Sequence, residues 1–110
     1  MEILEYVDAS GRRPFRRWFD KLDRVAAAKV LAALTRIGLG NLSNAKSVGG
    51  GVYEYRIAFG PGYRLYYGYD GPAVVILLCG GTKQRQSDDI AAAKARWLDF
   101  RMSKGASTWH

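Results

Sequence analysis

Three apolar, aromatic segments separated by short glycine-proline turns constrain the fold of this chain more than any other feature. The segments span residues 52–59, 63–69 and 73–79, and the turns are Gly60-Pro61-Gly62 and Asp70-Gly71-Pro72. Runs of this length, rich in tyrosine, valine and isoleucine, are typical of strands, and turns of this composition join antiparallel neighbours. The sequence therefore predicts a three-stranded antiparallel meander.

The remaining elements are one further strand and three helices. Residues 1–7 have the length and apolar content of a strand, which we expect to join the edge of the meander. Pro14 suits the first turn of a helix and Asp23 the cap of a second one, while Ser87 is expected to cap a third. Each helix has an apolar stripe at helical spacing: Phe15, Trp18, Phe19 and Leu22; Ala26, Val30, Ala33, Leu34 and Ile37; Ile90, Ala93, Trp97 and Phe100.

The order β-α-α-β-β-β-α predicts a two-layer α+β domain with the helices on one face of the sheet. Residues 40–51 are polar and rich in glycine, and are predicted to form a loop. The chain of 110 residues is expected to form one domain over residues 1–103. Residues 104–110 lack periodicity and are expected to form a frayed tail, in which we assign Trp109 no role.

No apolar run approaches the roughly 20 residues that span a bilayer, and the N-terminal segment lacks the plan of a signal peptide. The sequence therefore predicts a cytoplasmic protein with no membrane partner. The 17 basic and 10 acidic residues give a net charge of +7. Such an excess on a small domain indicates either a polyanionic partner, most often nucleic acid, or a merely basic surface.

Alternation separates the two faces of the predicted hairpin over residues 52–69. If Gly60-Pro61-Gly62 is a three-residue loop, Phe59 lies opposite Tyr63 and Ile57 opposite Leu65; a two-residue loop would divide the residues differently. The first face is then apolar and aromatic, and should contact the helices. The second face is polar and holds Glu54, Arg56, Ala58, Arg64, Tyr66 and Gly68.

The two arginines of the second face have two interpretations. With Glu54 they could form an ordinary exposed salt-bridged surface. Alternatively, they could bind phosphate together with Lys83 and Arg85, which follow a glycine pair just before a helix. The segment lacks the pattern of a P-loop.

Several kinds of catalysis are excluded by composition. The one cysteine, Cys79, lies in an apolar strand and is interpreted as a core residue, and the one histidine, His110, ends the chain. A histidine-based triad is therefore not expected, and no Cys/His cluster has metal-binding spacing. Asp88 and Asp89 are explained by a helix N-terminus more simply than by a magnesium site. No cofactor is predicted.

Phosphate chemistry with arginine, lysine and tyrosine remains. On RNA, the 2′-hydroxyl is a built-in nucleophile toward its own phosphate. A protein then has only to align it, stabilise the developing charge and manage two protons.

The segments "EYR", "GYRLYY" and "GGTK", in this order, resemble the RelE/ParE superfamily of toxin–antitoxin toxins. The likeness is strongest to the HigB-like branch of addiction module killer proteins and covers roughly residues 1–100. It implies a RelE-like fold in which an antiparallel sheet packs against helices. It also implies an enzyme, a ribosome-dependent mRNA endoribonuclease that inhibits translation, with an adjacently encoded antitoxin of the helix-turn-helix type. Operator DNA would be bound only through the antitoxin complex.

The resemblance implies roles for individual residues. Arg56 and Arg64 match the basic groups that bind phosphate and stabilise the transition state, and Lys83 matches a group for phosphate contact or proton transfer. Tyr66 would stack on a base or assist proton transfer, and Glu54 would orient Arg56. Several members of the superfamily use histidines or a tyrosine near the C-terminus. In this chain that region offers only His110, so the general acid stays unassigned.

Two further questions stay open at this point. Arg12, Arg13, Arg16 and Arg17 could dock ribosomal RNA, together with Arg85, or could simply form a solvated helix face. The superfamily also contains ParE-like gyrase inhibitors that lack the ribonuclease residues, and an inactive relative could serve only as an antitoxin-binding corepressor.

Overall fold

The structure is a computed structural model that describes residues 1–109, so the expectation for His110 lies outside the described residues. Its elements, in chain order, are β1 (Glu2–Tyr6), α1 (Pro14–Phe19), α2 (Arg24–Gly38), β2 (Ala45–Gly49), β3 (Val52–Ile57), β4 (Tyr63–Tyr69), β5 (Val74–Thr82), a 3₁₀ turn (Lys83–Arg85), α3 (Gln86–Ser103) and β6 (Ala106–Thr108). Within residues 1–109, no helix combines the length and apolar character needed to cross a bilayer.

The six strands form one mixed sheet in the order β2-β3-β4-β5-β1-β6. The α+β class and the meander β3-β4-β5 are confirmed, and β1 joins the meander beside β5 as expected. The β1–β5 pair is parallel, with Glu5 beside Leu77, whereas the other pairs are antiparallel. Parallel pairing is possible here because a long connection, and no tight turn, separates these two strands.

The helix starts show how far local signals determine the fold. Asp23 caps α2 as predicted, because its side chain accepts a hydrogen bond from the backbone N–H of Ala26 at 2.8 Å. The prediction that Ser87 caps the last helix is wrong. The 3₁₀ turn runs directly into α3, which begins at Gln86 with Arg85 in the cap position. Ser87 is therefore already helical.

The helices lie on both faces of the sheet, and the expectation that they cover one face is wrong. On the first face, α1 and α2 pack over Tyr55, Leu65, Tyr67, Val75 and Leu77; on the second, α3 packs over Val52, Tyr66, Ile76 and Leu78. The reason lies in β5, a central strand whose apolar side chains alternate between the two faces. A strand that is apolar on both sides needs cover on both sides.

The partition of the hairpin into two faces is confirmed, although its loop is longer than predicted. Ile57 lies opposite Tyr63 and Arg56 opposite Arg64, so the loop has five residues and Phe59 lies within it. This register differs from the predicted one by two residues. Because side chains alternate with a period of two, a two-residue change leaves every side chain on its predicted face.

Two strands were missed by the sequence prediction. Residues 40–51 contain β2, an edge strand whose outward residues are polar and whose register with β3 is irregular near Gly49. Its composition resembles a loop because only two of its side chains are even partly buried. Edge strands often have polar residues of this kind.

The second missed strand, β6, corrects the expectation that residues 104–110 are frayed. Over the described part of this segment, β6 pairs with the outer edge of β1, and Tyr6 lies opposite Ala106. Trp109 then packs edge-on against Phe15 and Phe19 at ring-centroid distances of 5.2 Å. The ring covers the apolar start of α1, which explains why an aperiodic segment is ordered.

We expect Trp109→Ala to lower the free energy of unfolding by about 2 kcal/mol, because it exposes Phe15 and Phe19 and removes a large, partly buried ring. Urea denaturation checks this. The matched control is Met102→Ala, whose side chain is 81% exposed, and which should change stability by less than about 0.5 kcal/mol. Equal effects of the two changes would show that the C-terminal segment contributes nothing to the core.

Candidate active site

A groove of about 490 Å³ opens at the end of the sheet where the β3–β4 loop meets the 3₁₀ turn. Its basic side chains are Lys46, Arg56, Arg64 and Lys83, and we call it the basic groove. The three cations predicted from the sequence thus lie in one cavity. Lys46 was not predicted, because it lies on β2, which the sequence indicated as a loop.

Gly62 brings Arg64 and Lys83 together. Its carbonyl oxygen accepts a hydrogen bond from the Arg64 guanidinium at 2.8 Å and another from the Lys83 backbone N–H at 3.0 Å. The residue has a positive φ of 78°, and a Cβ at this position would lie 3.1 Å from Arg64 Nη1. The positive φ of this turn therefore favours glycine, and a side chain here would also crowd the Arg64 guanidinium.

Glu54 is the buried counter-charge behind the basic groove. It has no solvent exposure, and its Oε2 accepts hydrogen bonds of 2.9 Å from the Tyr66 hydroxyl and the Gln86 amide. Arg64 Nε lies 3.7 Å from the same oxygen, and Lys46 Nζ lies 3.8 Å from Oε1. A buried charge is tolerated only when it is paired and hydrogen-bonded. Glu54 is paired with two cations and hydrogen-bonded through Oε2, whereas within residues 1–109 its Oε1 accepts no hydrogen bond.

These contacts change two of the predicted roles. Glu54 orients Arg64 and Lys46, and Arg56 is not among its ion-pair partners within residues 1–109. Tyr66 is fully buried beneath α3, so its ring cannot stack on a base as expected. Burial, strengthened by the hydrogen bond to Glu54, raises the pKa of the Tyr66 hydroxyl far above its usual range. The protonated Tyr66 hydroxyl donates its hydrogen bond to Glu54, behind the basic groove.

Arg56 and Arg64 lie directly opposite each other on β3 and β4. Like charges at directly opposed positions destabilise a strand pair. Only Arg64 is buried against Glu54, whereas Arg56 is exposed, so the groove retains an excess of positive charge. An anion with several oxygens, such as a phosphodiester, would relieve this repulsion and accept hydrogen bonds from both guanidinium groups.

The predicted arginine cluster near α1 is divided in two. Arg13 and Arg16 form ion pairs with the buried Glu5, at 3.7 and 3.1 Å, and the Arg16 guanidinium lies over the Trp109 ring. Arg12 and Arg17 line a different cavity, which Arg85 also lines. The four arginines do not form one solvated helix face, because Arg12 and Arg13 precede α1, which begins at Pro14.

Cys79 and the acidic residues were considered above as a nucleophile and as metal ligands. Cys79 is buried, and burial raises the pKa of its thiol to about 11, so the thiol is protonated at neutral pH as expected of a core residue. Asp89 packs against Gly81, where a Cβ would lie 1.8 Å from Asp89 Oδ2, and burial raises the pKa of its carboxyl group. In residues 1–109, no three His, Cys, Asp or Glu side chains are grouped as a metal site requires.

Lys46 and Gln86 are the site residues that sequence reasoning missed. Lys46 lies opposite Glu54 in the β2–β3 pair, and Gln86 reaches Glu54 from the first turn of α3. Glu54 could have indicated such a partner, since a carboxylate within an apolar strand requires hydrogen-bonding or charged neighbours. The sequence did not indicate that residues 45–49 form a neighbouring strand.

Together, these features define a small α+β protein with a preorganised cationic groove at one end of its sheet. The profile of the family described as "Phage derived protein Gp49-like (DUF891)" matches residues 17–97. An uncharacterised protein of Haemophilus influenzae is 44% identical over 81 residues, which are 73% of this chain and 82% of that relative. The chain belongs to the Gp49-like family.

This family is a RelE-like, addiction-module toxin-like family, many of whose associated toxins are endoribonucleases. The resemblance to toxin–antitoxin toxins is confirmed at this level. Membership implies a toxin of a toxin–antitoxin pair and, with it, a cognate antitoxin as partner.

We expect Glu54→Gln to lower the free energy of unfolding by about 3 kcal/mol, because Arg64 would remain buried without its counter-charge. In the double variant with Arg64→Met, the loss of unfolding free energy should be at least about 1 kcal/mol smaller than the sum of the two single losses, because the two side chains interact. Urea denaturation of the four proteins forms the double-mutant cycle. Additive effects would show that the pair does not interact.

Proposed function

We propose that this protein is the toxin of a type II toxin–antitoxin module, of the HigB-like branch, and that it cleaves mRNA. The observation that carries the proposal is the convergence of Arg56, Arg64, Lys83 and Lys46 in the basic groove. The buried Glu54 fixes Arg64 from behind and leaves the groove with excess positive charge. Preorganised cations aimed at a site of developing negative charge are the usual means by which proteins stabilise a phosphorane transition state.

In the proposed reaction, the RNA 2′-oxygen forms a bond to the adjacent phosphorus and the bond from phosphorus to the 5′-oxygen breaks. The products are a 2′,3′-cyclic phosphate and a 5′-hydroxyl. The 2′-hydroxyl loses one proton to a solvent water in the open groove, and the leaving 5′-oxygen gains one. Arg56 and Arg64 bind the non-bridging oxygens, on which charge increases, while Lys83 protonates the leaving oxygen. The reaction uses the nucleophile of the substrate and requires no cofactor.

Lys46 extends the predicted set as a fourth cation in contact with the substrate phosphate. Its ion pair with Glu54 draws the exposed ammonium group toward the groove. Glu54, Tyr66 and Gln86 are positioning residues, because they act through the cations and do not line the groove.

We propose that the ribosome presents the mRNA to this groove. The groove stabilises charge but does not itself align the RNA. The reaction therefore requires a substrate whose 2′-oxygen, phosphorus and leaving oxygen are already in line. The ribosome could impose such a geometry on a codon. The proposed antitoxin is a helix-turn-helix protein, through which the complex would bind operator DNA.

Induced expression tests the proposal. Wild-type protein should arrest growth and yield mRNA fragments that end in a 2′,3′-cyclic phosphate or its 3′-phosphate product. Lys83→Ala should reduce cleavage by about 10²-fold or more, because the proposed role of the exposed Lys83 is in the reaction and not in the core. Arg64→Lys should reduce it similarly, because a lysine retains the charge opposite Glu54 but cannot bind phosphate bidentately.

Arg24→Ala is the matched control, because Arg24 is exposed on α2 and lies outside the basic groove; it should leave cleavage unchanged. Folding of each variant is checked by circular dichroism. Growth arrest with intact transcripts and a DNA-damage response would instead identify a gyrase inhibitor. Unchanged growth would favour a corepressor that only binds the antitoxin.

A further inference from the structure

A second cavity, of about 650 Å³, lies beside the basic groove at the place where β1 stops short of β5. The last residue of β1 paired with β5 is Glu5, opposite Leu77, but β5 continues to Thr82. Beyond Leu77, the space beside β5 is bounded by α1 and α3. We call this space the second cavity; its wall includes Trp18 and Gly80.

The second cavity is lined by more basic than acidic side chains. The basic residues are Arg12, Arg17, Lys21, Arg85 and Arg96, and the acidic ones are Asp8, Asp88 and Asp89. Two of the acids are already paired, since Asp8 lies 3.0 Å from Arg12 and Asp88 lies 3.8 Å from Arg85. Within residues 1–109, Arg17 and Lys21 form no ion pair. The excess charge therefore favours an anionic ligand.

The second cavity and the basic groove are neighbours, separated by a pair of aromatic rings. Trp18 lines the second cavity and Tyr63 lines the basic groove, and their ring centroids are 6.2 Å apart. The 3₁₀ turn makes a second connection, because Lys83 lines the basic groove whereas Arg85, two residues later, lines the second cavity. The Trp18–Tyr63 ring pair, which we call the aromatic junction, therefore lies between two groups of cations.

Gly80 explains why Trp18 occupies this junction. The Trp18 ring lies directly on the β5 backbone, and a Cβ at Gly80 would lie 2.2 Å from the nearest ring atom. The glycine therefore allows the indole to lie against the strand, and the Trp18 residue as a whole remains partly exposed. A fixed, partly exposed indole beside cations can stack on an unpaired base.

We infer that the second cavity binds single-stranded RNA that continues from the basic groove across the Trp18–Tyr63 junction. The repeating unit of such a strand, a phosphate followed by a base with an aromatic face, matches the alternation of cations and aromatic rings. An acidic peptide would satisfy the cations but would not use the rings. The inference rests on the proposed function and extends its substrate from the scissile phosphate to the flanking nucleotides.

Salt-dependent binding of RNA tests this inference. The probes are 2′-fluoro oligonucleotides, which lack the nucleophile and cannot be cleaved by the proposed reaction. One has about three nucleotides, enough for the basic groove alone, and the other about ten, enough for both sites. Fluorescence anisotropy gives the slope of log Kd against log salt concentration for the wild type and for Arg17→Gln/Lys21→Gln.

The double variant should reduce the slope for the longer probe by about 1.4, since each lost contact to single-stranded phosphate removes about 0.7. The slope for the shorter probe should not change. Arg24→Gln/Arg36→Gln is the matched control, because it removes the same charge from exposed positions outside both sites. Its slopes should equal those of the wild type with both probes.

The outcomes separate this inference from the proposed function. An unchanged slope for the longer probe would overturn the inference while mRNA cleavage by the wild type still stood. A reduced slope in a protein that cleaves no RNA would support the second cavity as an RNA site and contradict the reaction. Loss of antitoxin binding in the double variant, with unchanged RNA binding, would assign the cavity to the protein partner and overturn the inference.

Discussion

One buried carboxylate, Glu54, allows this end of the sheet to bury an arginine and still present a positively charged groove. Arg64 is almost as deeply buried, and a guanidinium in that position without a counter-charge would cost several kcal/mol. Glu54 offsets this cost, and the Tyr66 hydroxyl and the Gln86 amide satisfy the oxygen nearest to Arg64. The same carboxylate attracts Lys46 from β2. Three elements, β2, β4 and α3, are therefore connected to β3 through one side chain.

Glycines allow the helices to approach the sheet closely enough for this arrangement. Trp97 of α3 lies on Gly68 of β4, where a Cβ would come within 2.5 Å of the ring, and Trp18 lies on Gly80 in the same manner on the opposite face. Both tryptophan rings therefore pack directly against the strand backbone. Since α3 is fixed at this distance, Gln86 in its first turn can reach Glu54, which links the packing of the core to the geometry of the basic groove.

The success of the sequence prediction depended on the range of the interaction concerned. The Asp23 cap is made within three residues, and the division of the hairpin faces depends only on alternation, so both were predictable. The location of α3 depends on β5 being apolar on both sides, which alternation within the hairpin does not reveal. Tyr66 was placed on the correct face but given the wrong role, because that face was assumed to be open to solvent. Trp109 was undervalued because its partners lie about 90 residues away along the chain.

The distribution of charge bears on why such a protein would need a dedicated inhibitor. Of the 17 basic residues, four line the basic groove and five line the second cavity, and the carboxylate closest to the groove is buried behind it. If these cavities bind RNA as proposed, a partner that covers this surface would block the substrate directly. The antitoxin implied by the family is a candidate for such a partner.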